Sequence, residues 1–181
     1  MNFIPIESPF SEEAISLLRA GDWVLISGRL IAARDAAHKL LSEMIKEGKD
    51  LPFELKGETI YYVGPTPPPP GKVIGSAGPT TSSRMDPYML SFLQAGARGF
   101  IGKGPRSPRV RELLSQFKGV YFGTLGGAGA LLSKYIKDKE VIAFPHLGPE
   151  AVLRLKVVDF PAVVIYDAFG GDLFELRRRI D

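Results

Sequence analysis

The order of predicted elements favours an α/β domain built on a mixed sheet. Short apolar strands alternate with amphipathic helical segments through the middle of the chain, and strands dominate its last third. This mixture predicts two or three layers of structure rather than a regular doubly wound fold. The length of 181 residues fits a single domain, residues 1–181, and an apolar fraction of 45% is enough for a sizeable core.

The predicted strands are short runs of β-branched and aromatic residues. In chain order they are WVLIS, extended through Ile31, then TIYYVG, KVIGSAG, RGFIGKG, VYFGT, EVIAF and VLRLKVVDF. The segment AVVIYDAFGGDLFEL is predicted to be a hairpin whose strands, AVVIYDA and DLFEL, flank a pair of glycines. The run PTPPPPG is predicted to be a stiff extended loop, because consecutive prolines fit neither a helix nor an inner strand.

The predicted helices combine a polar or proline start with apolar residues spaced three and four positions apart. They begin at Ser11, at Asp35, near Pro87, at Ser107 with Pro108, and in GGAGALLSKYI. In the second helix Asp35 is predicted to be the N-cap and Gly48 to follow the last turn. In the third, the residues expected to face the core are Met85, Met89, Leu90 and Leu93.

Composition limits the classes of function. The chain has no cysteine, which excludes disulfides, thiolate nucleophiles and any iron–sulfur or thiolate–zinc site made by this chain alone. Its two histidines, His38 and His146, are far apart in sequence, so a His-rich metal site is not expected. A net charge of +3 with interleaved cations and anions does not indicate a nucleic-acid-binding protein. No apolar run is long enough to cross a bilayer and no signal peptide is recognisable, so we expect a cytoplasmic protein without a membrane partner.

One glycine-rich segment, GTLGGAGALL, follows a predicted strand. It does not match the G-x-G-x-x-G pattern of dinucleotide-binding domains, and the spacing of a phosphate-binding P-loop is absent. The glycines instead allow the backbone to approach a substrate anion or a partner closely.

The segment GPTTSSRMD places hydroxyl side chains and a guanidinium at a predicted helix start. A helix start offers free N–H groups, hydroxyls donate hydrogen bonds, and Arg84 can hold a carboxylate through two parallel bonds. One interpretation is therefore a carboxylate- or phosphate-binding site. The alternative is that one hydroxyl caps the helix while Arg84 is an ordinary surface cation, and the pattern alone does not decide between them.

Two further cations lie where a predicted strand ends. Arg34 stands at a strand-to-helix junction, and Lys103 stands between glycines after RGFIG. Such junctions are where α/β sheets bind ligands, and three cations would suit a substrate with two carboxylates if they are close in space. His38 follows Arg34 by one helical turn and is either a substrate ligand, a proton carrier or a partly buried structural histidine.

These residues resemble a known family. SGRLIAARDAAHKLL, YYVGPTPPPPGKVIGSAGPTTSSRMDPY, GFIGKG and GPEAVLRLKVVDFPAVVIYDAFGGDLF resemble, in this order, the β subunit or C-terminal domain of class I fumarate hydratases and L-tartrate dehydratases. The resemblance covers residues 21–176. It implies a swivelling β/β/α domain and a hydro-lyase that acts on a small hydroxy-dicarboxylic acid.

The resemblance also implies a partner. In the family a [4Fe-4S] cluster is held by three cysteines of the α part, and this chain has none. The cluster is therefore expected to come with a separate α subunit in a hetero-oligomer, with the active site between the two chains and no metal ligand from this one.

Position by position, the residues that match the family's substrate contacts are Arg34, Thr80, Thr81, Arg84 and Lys103, with His38 in the same matched helix. Thr80, Arg84 and Lys103 are the implied catalytic residues, and Thr80 matches the proposed base for proton exchange on carbon. Because a threonine hydroxyl is a weak acid, it needs cationic neighbours and a proton acceptor. Ala33 departs from a glycine expected in many members. The expected reaction is the reversible hydration of fumarate to L-malate, or alternatively the dehydration of L-tartrate or a related hydroxy-dicarboxylate. A non-catalytic dicarboxylate-binding module is an alternative of another class.

Overall fold

The computed structural model describes residues 2–179 of the chain, and the prediction of an α/β domain with a mixed sheet is confirmed there. One sheet contains seven strands. They are β1 (Phe3–Ser8), β2 (Trp23–Ala32), β3 (Thr59–Tyr61), β4 (Gly99–Gly102), β5 (Val120–Gly123), β6 (Ile136–Ala143) and β7 (Val152–Tyr166).

The sheet closes into a barrel. Strands β2, β3, β4 and β5 are parallel neighbours, and β7 pairs antiparallel with both β5 and β2. The ring β2-β3-β4-β5-β7 is therefore a closed mixed barrel of five strands. Outside the ring, β1 runs parallel to the first part of β2, and β6 runs antiparallel to β7.

Helices contribute buried residues to the apolar clusters on both faces of this sheet. They are α1 (Glu12–Leu17), α2 (Asp35–Lys46), α3 (Met89–Gln94), α4 (Pro108–Phe117), α5 (Gly129–Leu132) and α6 (Leu173–Arg178), with 3₁₀ helices at Ser82–Tyr88, Ser133–Tyr135 and Pro145–Glu150. Successive strand residues point to opposite faces, so Ile101 packs in one apolar cluster and Phe100 in the other. The two cores therefore lie on opposite faces of the sheet. No helix within residues 2–179 is long and apolar enough to span a bilayer.

Several helix starts follow the predicted chemistry. The Ser11 hydroxyl accepts a hydrogen bond from the Ala14 N–H, and the Ser107 hydroxyl accepts one from Val110 ahead of Pro108. The prediction for Asp35 is wrong by one residue, because Arg34 occupies the N-cap position and Asp35 begins α2. This shift leaves the Asp35 carboxylate available for a distant partner.

The predicted C-terminal hairpin is wrong. A single strand of 15 residues, β7, runs from Val152 to Tyr166, so VLRLKVVDF and AVVIY are parts of the same strand. The predicted strand DLFEL is instead the start of α6, because the Asp172 carboxylate accepts the N–H groups of Phe174 and Glu175 and caps the helix. Long-range pairing of β7 with three other strands overrides the local hairpin signal.

The predicted strand KVIGSAG is also wrong, since residues 72–78 form an irregular loop. The segment that contains the proline run folds back on itself. Thr66 and Ser76, on either side of the run, are joined by two hydrogen bonds: the Thr66 N–H donates to the Ser76 carbonyl, and the Ser76 N–H donates to the Thr66 hydroxyl. The other differences are small. Strand β1 was not predicted, α5 is a single turn, and Leu90 is 40% exposed rather than buried.

Candidate active site

The predicted site residues meet at one edge of the barrel. Arg34 follows β2, and Lys103 follows β4, so both stand at the carboxyl ends of parallel strands. The segment that carries Thr80 returns to the same edge, because the Thr80 N–H donates to the Tyr62 carbonyl at 2.8 Å. Thr81 pairs with Lys103 as an isolated parallel bridge, and the Ser82 N–H donates to the Lys103 carbonyl at 3.1 Å.

Arg84 is held from two sides. Its Nε lies 3.0 Å from Asp35 Oδ1 and its Nη2 lies 3.2 Å from Asp35 Oδ2, so the two side chains form a two-point ion pair. The same Nη2 donates to the Thr80 hydroxyl oxygen at 2.5 Å. Arg84 therefore places a positive charge directly beside the Thr80 hydroxyl while its side chain stays 46% exposed.

Arg34 approaches the same carboxylate. Its Nε lies 3.4 Å from Asp35 Oδ2 and 3.3 Å from Glu150 Oε1. Its side chain runs against Gly64, where an added Cβ would lie 2.7 Å from Arg34 Cδ. A side chain at position 64 would thus displace the guanidinium, which explains the glycine at this point.

Asp35 and Glu150 are the acidic residues that sequence reasoning missed. Burial raises the pKa of Asp35, but the hydrogen bonds and charge of Arg84, with help from Arg34, outweigh that effect and lower the pKa below its ordinary value. Asp35 is therefore a carboxylate at neutral pH. Its position at the start of α2 gave only a capping signal, and its contact with Arg84 spans 49 positions of sequence.

The His38 ring lies beneath this edge rather than on it. The residue is 1% exposed and stacks on Phe92 at a centroid distance of 4.4 Å. Its Nδ1 lies 2.9 Å from the Arg34 carbonyl oxygen, which can only accept, so Nδ1 carries the hydrogen. Burial lowers the pKa of His38 to about 4, and the ring is neutral at pH 7.

The hydroxyl run is supported from below. Ser82 is buried, and its hydroxyl is hydrogen-bonded to the Tyr121 hydroxyl at 2.9 Å. Ser82 lies directly over Gly102, where an added Cβ would lie 1.8 Å from the Ser82 Oγ. The Thr80 hydroxyl, which accepts from Arg84, thus lies at the site edge, whereas Ser82 fixes the backbone from the inside.

The glycine-rich loop after β5 forms a further side of the site. An added Cβ at Gly126 would lie 3.6 Å from Lys103 Cδ, and the Gly129 carbonyl accepts the Ala77 N–H at 3.1 Å. The loop thus packs its backbone beside Lys103 and the approach to the hydroxyl run.

The arrangement suits an anionic ligand but not an iron–sulfur cluster. Arg34, Arg84 and Lys103 share one partly exposed edge with the Thr80 and Thr81 hydroxyls, which is a donor set for carboxylates. The chain has no cysteine, and residues 2–179 contain no group of three His, Asp or Glu side chains placed to hold a metal ion. The residues of this chain therefore do not fit a cluster.

Comparisons with known proteins agree with this chemistry. The chain is 41% identical over 164 residues to fumarate hydratase 2 of Leishmania major and 42% identical over 153 residues to the anaerobic class I fumarate hydratase of Escherichia coli K12. These matches cover 90% and 83% of this chain, but only 29% and 28% of those proteins. The chain therefore spans less than a third of the length of these two fumarate hydratases.

A shorter relative is matched over most of its length. The chain is 33% identical over 171 residues to a putative L(+)-tartrate dehydratase subunit beta of Methanocaldococcus jannaschii, covering 91% of this chain and 88% of that subunit. The sequence model described as "Fumarase C-terminus" matches residues 2–177. The chain therefore belongs to the fumarase C-terminus family and is homologous to class I fumarate hydratases and to the β-type subunit of tartrate dehydratases.

Proposed function

We propose that this chain is the β subunit of a two-subunit hydro-lyase that reversibly hydrates fumarate to L-malate. Residues 1–181 would form one β-type catalytic domain. The observation that carries the proposal is the linked set of Arg34, Asp35, Arg84 and Thr80 at the edge that also bears Lys103. A dicarboxylate needs cationic partners at both ends, and Arg34, Arg84 and Lys103 would supply them at this edge. The chain's homology to class I fumarate hydratases supports the same substrate class.

The remainder of the active site would come from an α subunit. Because this chain does not fit the iron–sulfur cluster of the family, the cluster belongs to that partner. The exposed site edge is the surface that the α subunit would cover, which excludes water and strengthens the electrostatic contacts. This domain would be of the swivelling β/β/α type that the family resemblance implies.

Arg84 is suited to bind one substrate carboxylate. Asp35 and Thr80 occupy its Nε and Nη2, and Nη1 makes no hydrogen bond among residues 2–179, so it would be the nitrogen available to a substrate carboxylate. The two-point contact with Asp35 orients the guanidinium before substrate arrives, so that less side-chain freedom is lost on binding. Arg34 and Lys103 would contact the remaining carboxylate oxygens.

Thr80 is suited to carry the proton of the reaction. In the dehydration direction its oxygen, as an alkoxide, would take the proton from the carbon next to a carboxylate and become a hydroxyl. In the hydration direction it would return that proton to carbon. The Arg84 cation on the Thr80 oxygen stabilises the alkoxide, and the group that removes the hydroxyl proton would come from the α subunit.

L-tartrate is the second candidate substrate. The observation that favours it is the name of the Methanocaldococcus jannaschii relative, which this chain matches over 88% of that subunit's length. L-tartrate also carries two carboxylates and a hydroxyl beside an abstractable proton. The same cations would bind it, and the pocket shape on the α side would decide between the two acids.

The test is anaerobic co-expression with a candidate α subunit, followed by assays of the purified complex with fumarate and with L-tartrate. Loss of fumarate absorbance that requires both chains is the expected result. Arg84→Ala should lower kcat/KM by about 10³-fold, whereas Arg109→Ala, in an exposed pair on α4, should leave it unchanged. A complex that acts only on L-tartrate selects the second candidate. Tight dicarboxylate binding by the isolated chain, without activity in any complex, would instead support a non-catalytic binding module.

A further inference from the structure

A buried arginine lies directly behind the site. The Arg106 side chain is 0% exposed, yet arginine is always charged in proteins. Its Nε donates to Asp86 Oδ1 at 2.5 Å, and its Nη1 donates to the Tyr62 hydroxyl at 3.2 Å. The guanidinium carbon lies 5.2 Å from the Tyr62 ring centroid and 5.1 Å from that of Tyr121, so aromatic faces flank the charge.

The second carboxylate oxygen of Asp86 accepts a hydrogen bond from the residue that follows Arg106. The Asp86 Oδ2 accepts the main-chain N–H of Ser107 at 3.0 Å, and Ser107 is the N-cap of α4. The main-chain N–H of Arg106 donates to the Tyr166 hydroxyl at 3.1 Å, and this hydrogen bond connects the segment to β7. Asp86 thus connects its own 3₁₀ helix to the loop between β4 and α4 through two bonds.

These connections bracket the proposed substrate-binding residues. The 3₁₀ helix Ser82–Tyr88 is joined to the segment after β4 at two points. At one, the Ser82 N–H donates to the Lys103 carbonyl; at the other, Asp86 pairs with Arg106. Arg84 lies between the two attachments on one segment, and Lys103 lies at the end of the other. The separation of the two cations therefore depends on both attachments.

Stability alone does not explain the buried pair. Burying an ion pair removes both groups from water, and apolar replacements are often no less stable. Arg106 Nη2 is also buried without a hydrogen-bond partner among residues 2–179, which adds a further unfavourable contribution. What the pair supplies is a fixed distance and direction between two backbone segments, which an apolar contact defines less sharply.

We propose that Arg106 and Asp86 are positioning residues that set the spacing of Arg84 and Lys103 for a dicarboxylate. The inference rests on the proposed function for its substrate, but its geometry concerns this chain alone. Neither residue needs to touch the substrate, since Arg106 is enclosed by the two tyrosine rings. Loss of the pair should therefore alter the site without removing any group that contacts the substrate.

The chain offers a matched control. Arg111 and Asp172 form another Arg–Asp pair at 2.6 Å, and Asp172 likewise accepts main-chain N–H groups at a helix start. That pair joins α4 to α6 and contacts neither Arg84 nor Lys103. Asp86→Asn and Asp172→Asn make the same chemical change in these two settings.

The first measurement is steady-state kinetics of the assembled complex. Asp86→Asn should raise KM for the dicarboxylate and lower kcat, with a combined loss of about 10²-fold, because a misplaced contact weakens binding and chemistry together. Arg106→Lys, which keeps the charge but loses the fork geometry, should show a smaller loss in the same direction. Asp172→Asn should lower the melting temperature and leave both kinetic constants unchanged.

The second measurement is hydrogen exchange of the purified chain, which does not depend on catalysis. Asp86→Asn should speed exchange in the peptide that contains residues 80–84, whereas Asp172→Asn should speed it only around α6. If Asp86→Asn does not fold, Asp86→Glu is used in its place. It should cause the same kinetic changes and the same faster exchange at residues 80–84, each to a smaller extent. If Asp86→Asn matches Asp172→Asn, with a lower melting temperature but unchanged kinetics and unchanged exchange at residues 80–84, the positioning role is wrong. An inactive wild-type complex overturns the proposed function instead, and the exchange result still decides the positioning role.

Discussion

Asp35 and Arg84 form a two-point ion pair across 49 positions of sequence, with Nε–Oδ1 and Nη2–Oδ2 distances of 3.0 and 3.2 Å. The pair joins the start of α2 to the 3₁₀ helix that follows the hydroxyl run. Because both side chains are partly exposed, the pair adds little to stability. Its consequence is geometric, since the Asp35 carboxylate determines which guanidinium nitrogens of Arg84 remain for a substrate.

We expect Asp35→Asn to reduce kcat/KM of the assembled enzyme by about tenfold or more, because Arg84 loses an oriented charged partner. The effect should fall mainly on KM if Arg84 binds the substrate carboxylate. Steady-state kinetics check this, with Asp50→Asn, an exposed change in the loop after α2, as the control. An unchanged kcat/KM would show that Asp35 does not orient Arg84 for the reaction, and a higher kcat/KM would show that Asp35 competes with substrate.

The Thr80 hydroxyl is expected to be essential for proton transfer. Thr80→Val keeps the shape of the side chain and removes the hydroxyl, so kcat should fall by about 10²- to 10⁴-fold. Thr80→Ser restores a hydroxyl and should recover most of the rate. Ser83→Ala removes an exposed hydroxyl of the same run and should leave kcat unchanged. Exchange of the carbon-bound proton with solvent, followed by NMR, should be lost with Thr80→Val; normal exchange there would assign the proton transfer to another group.

Gly64 is expected to control the position of Arg34. An alanine Cβ would lie 2.7 Å from Arg34 Cδ and 2.9 Å from its Nη1, so Gly64→Ala must push the guanidinium away. The φ angle of Gly64 is not in the left-handed region, so the substitution tests space and not backbone strain. We expect KM for the dicarboxylate to rise by about tenfold.

A double-mutant cycle checks this coupling. In an Arg34→Ala background, Gly64→Ala should have no further effect on KM, because the displaced group is already absent. Additive effects in the cycle would mean that Gly64 acts on the site through some contact other than Arg34.

His38 should make the stability of the chain depend on pH. Burial, with a smaller contribution from the nearby Arg106 charge, lowers its pKa from 6.5 to about 4, and this net shift includes the partial opposition of the Arg34 carbonyl and Asp35. Above pH 6.5 neither the folded nor the unfolded chain binds a proton at this ring. As the pH falls from 6.5 towards 4, the unfolded chain binds a proton that the folded chain does not, and the free energy of unfolding falls.

The size of this loss should be about 3 kcal/mol, since each pKa unit corresponds to about 1.4 kcal/mol. Urea denaturation of the chain between pH 7.5 and 4.5 measures it. His38→Phe keeps a ring against Phe92 and should flatten the pH dependence relative to wild type, whereas His146→Gln, at an exposed position, should retain it. Equal slopes for His38→Phe and wild type would show that His38 is protonated as easily in the folded chain as in the unfolded one.

Local chemistry was sufficient to predict many individual features. Ser107 followed by Pro108 indicates a helix start, because the hydroxyl satisfies a free N–H and proline needs none. Arg34, Thr80, Arg84 and Lys103 were also recognised as candidates, because cations and hydroxyls at strand ends suit an anionic ligand. Each of these signals depends on residues within a few positions of one another.

Features that depend on distant partners were missed. The C-terminal hairpin was predicted from its glycine pair, yet the register of β7 with β2, β5 and β6 holds AVVIY in one long strand. Likewise, Asp35 gave only a capping signal, because its contact with Arg84 lies 49 positions away.

By itself, the sequence determined the mixed α/β class, the absence of thiolate chemistry in this chain and the set of cations and hydroxyls available to a substrate. Only the tertiary structure decided that β7 closes the barrel on β2, that His38 is buried and neutral, and that Asp86 and Arg106 join the segments bearing Arg84 and Lys103. The reason is physical. Helix starts and turns are decided by hydrogen bonds between near neighbours, whereas the burial, charge state and partner of a side chain depend on which distant segments pack around it.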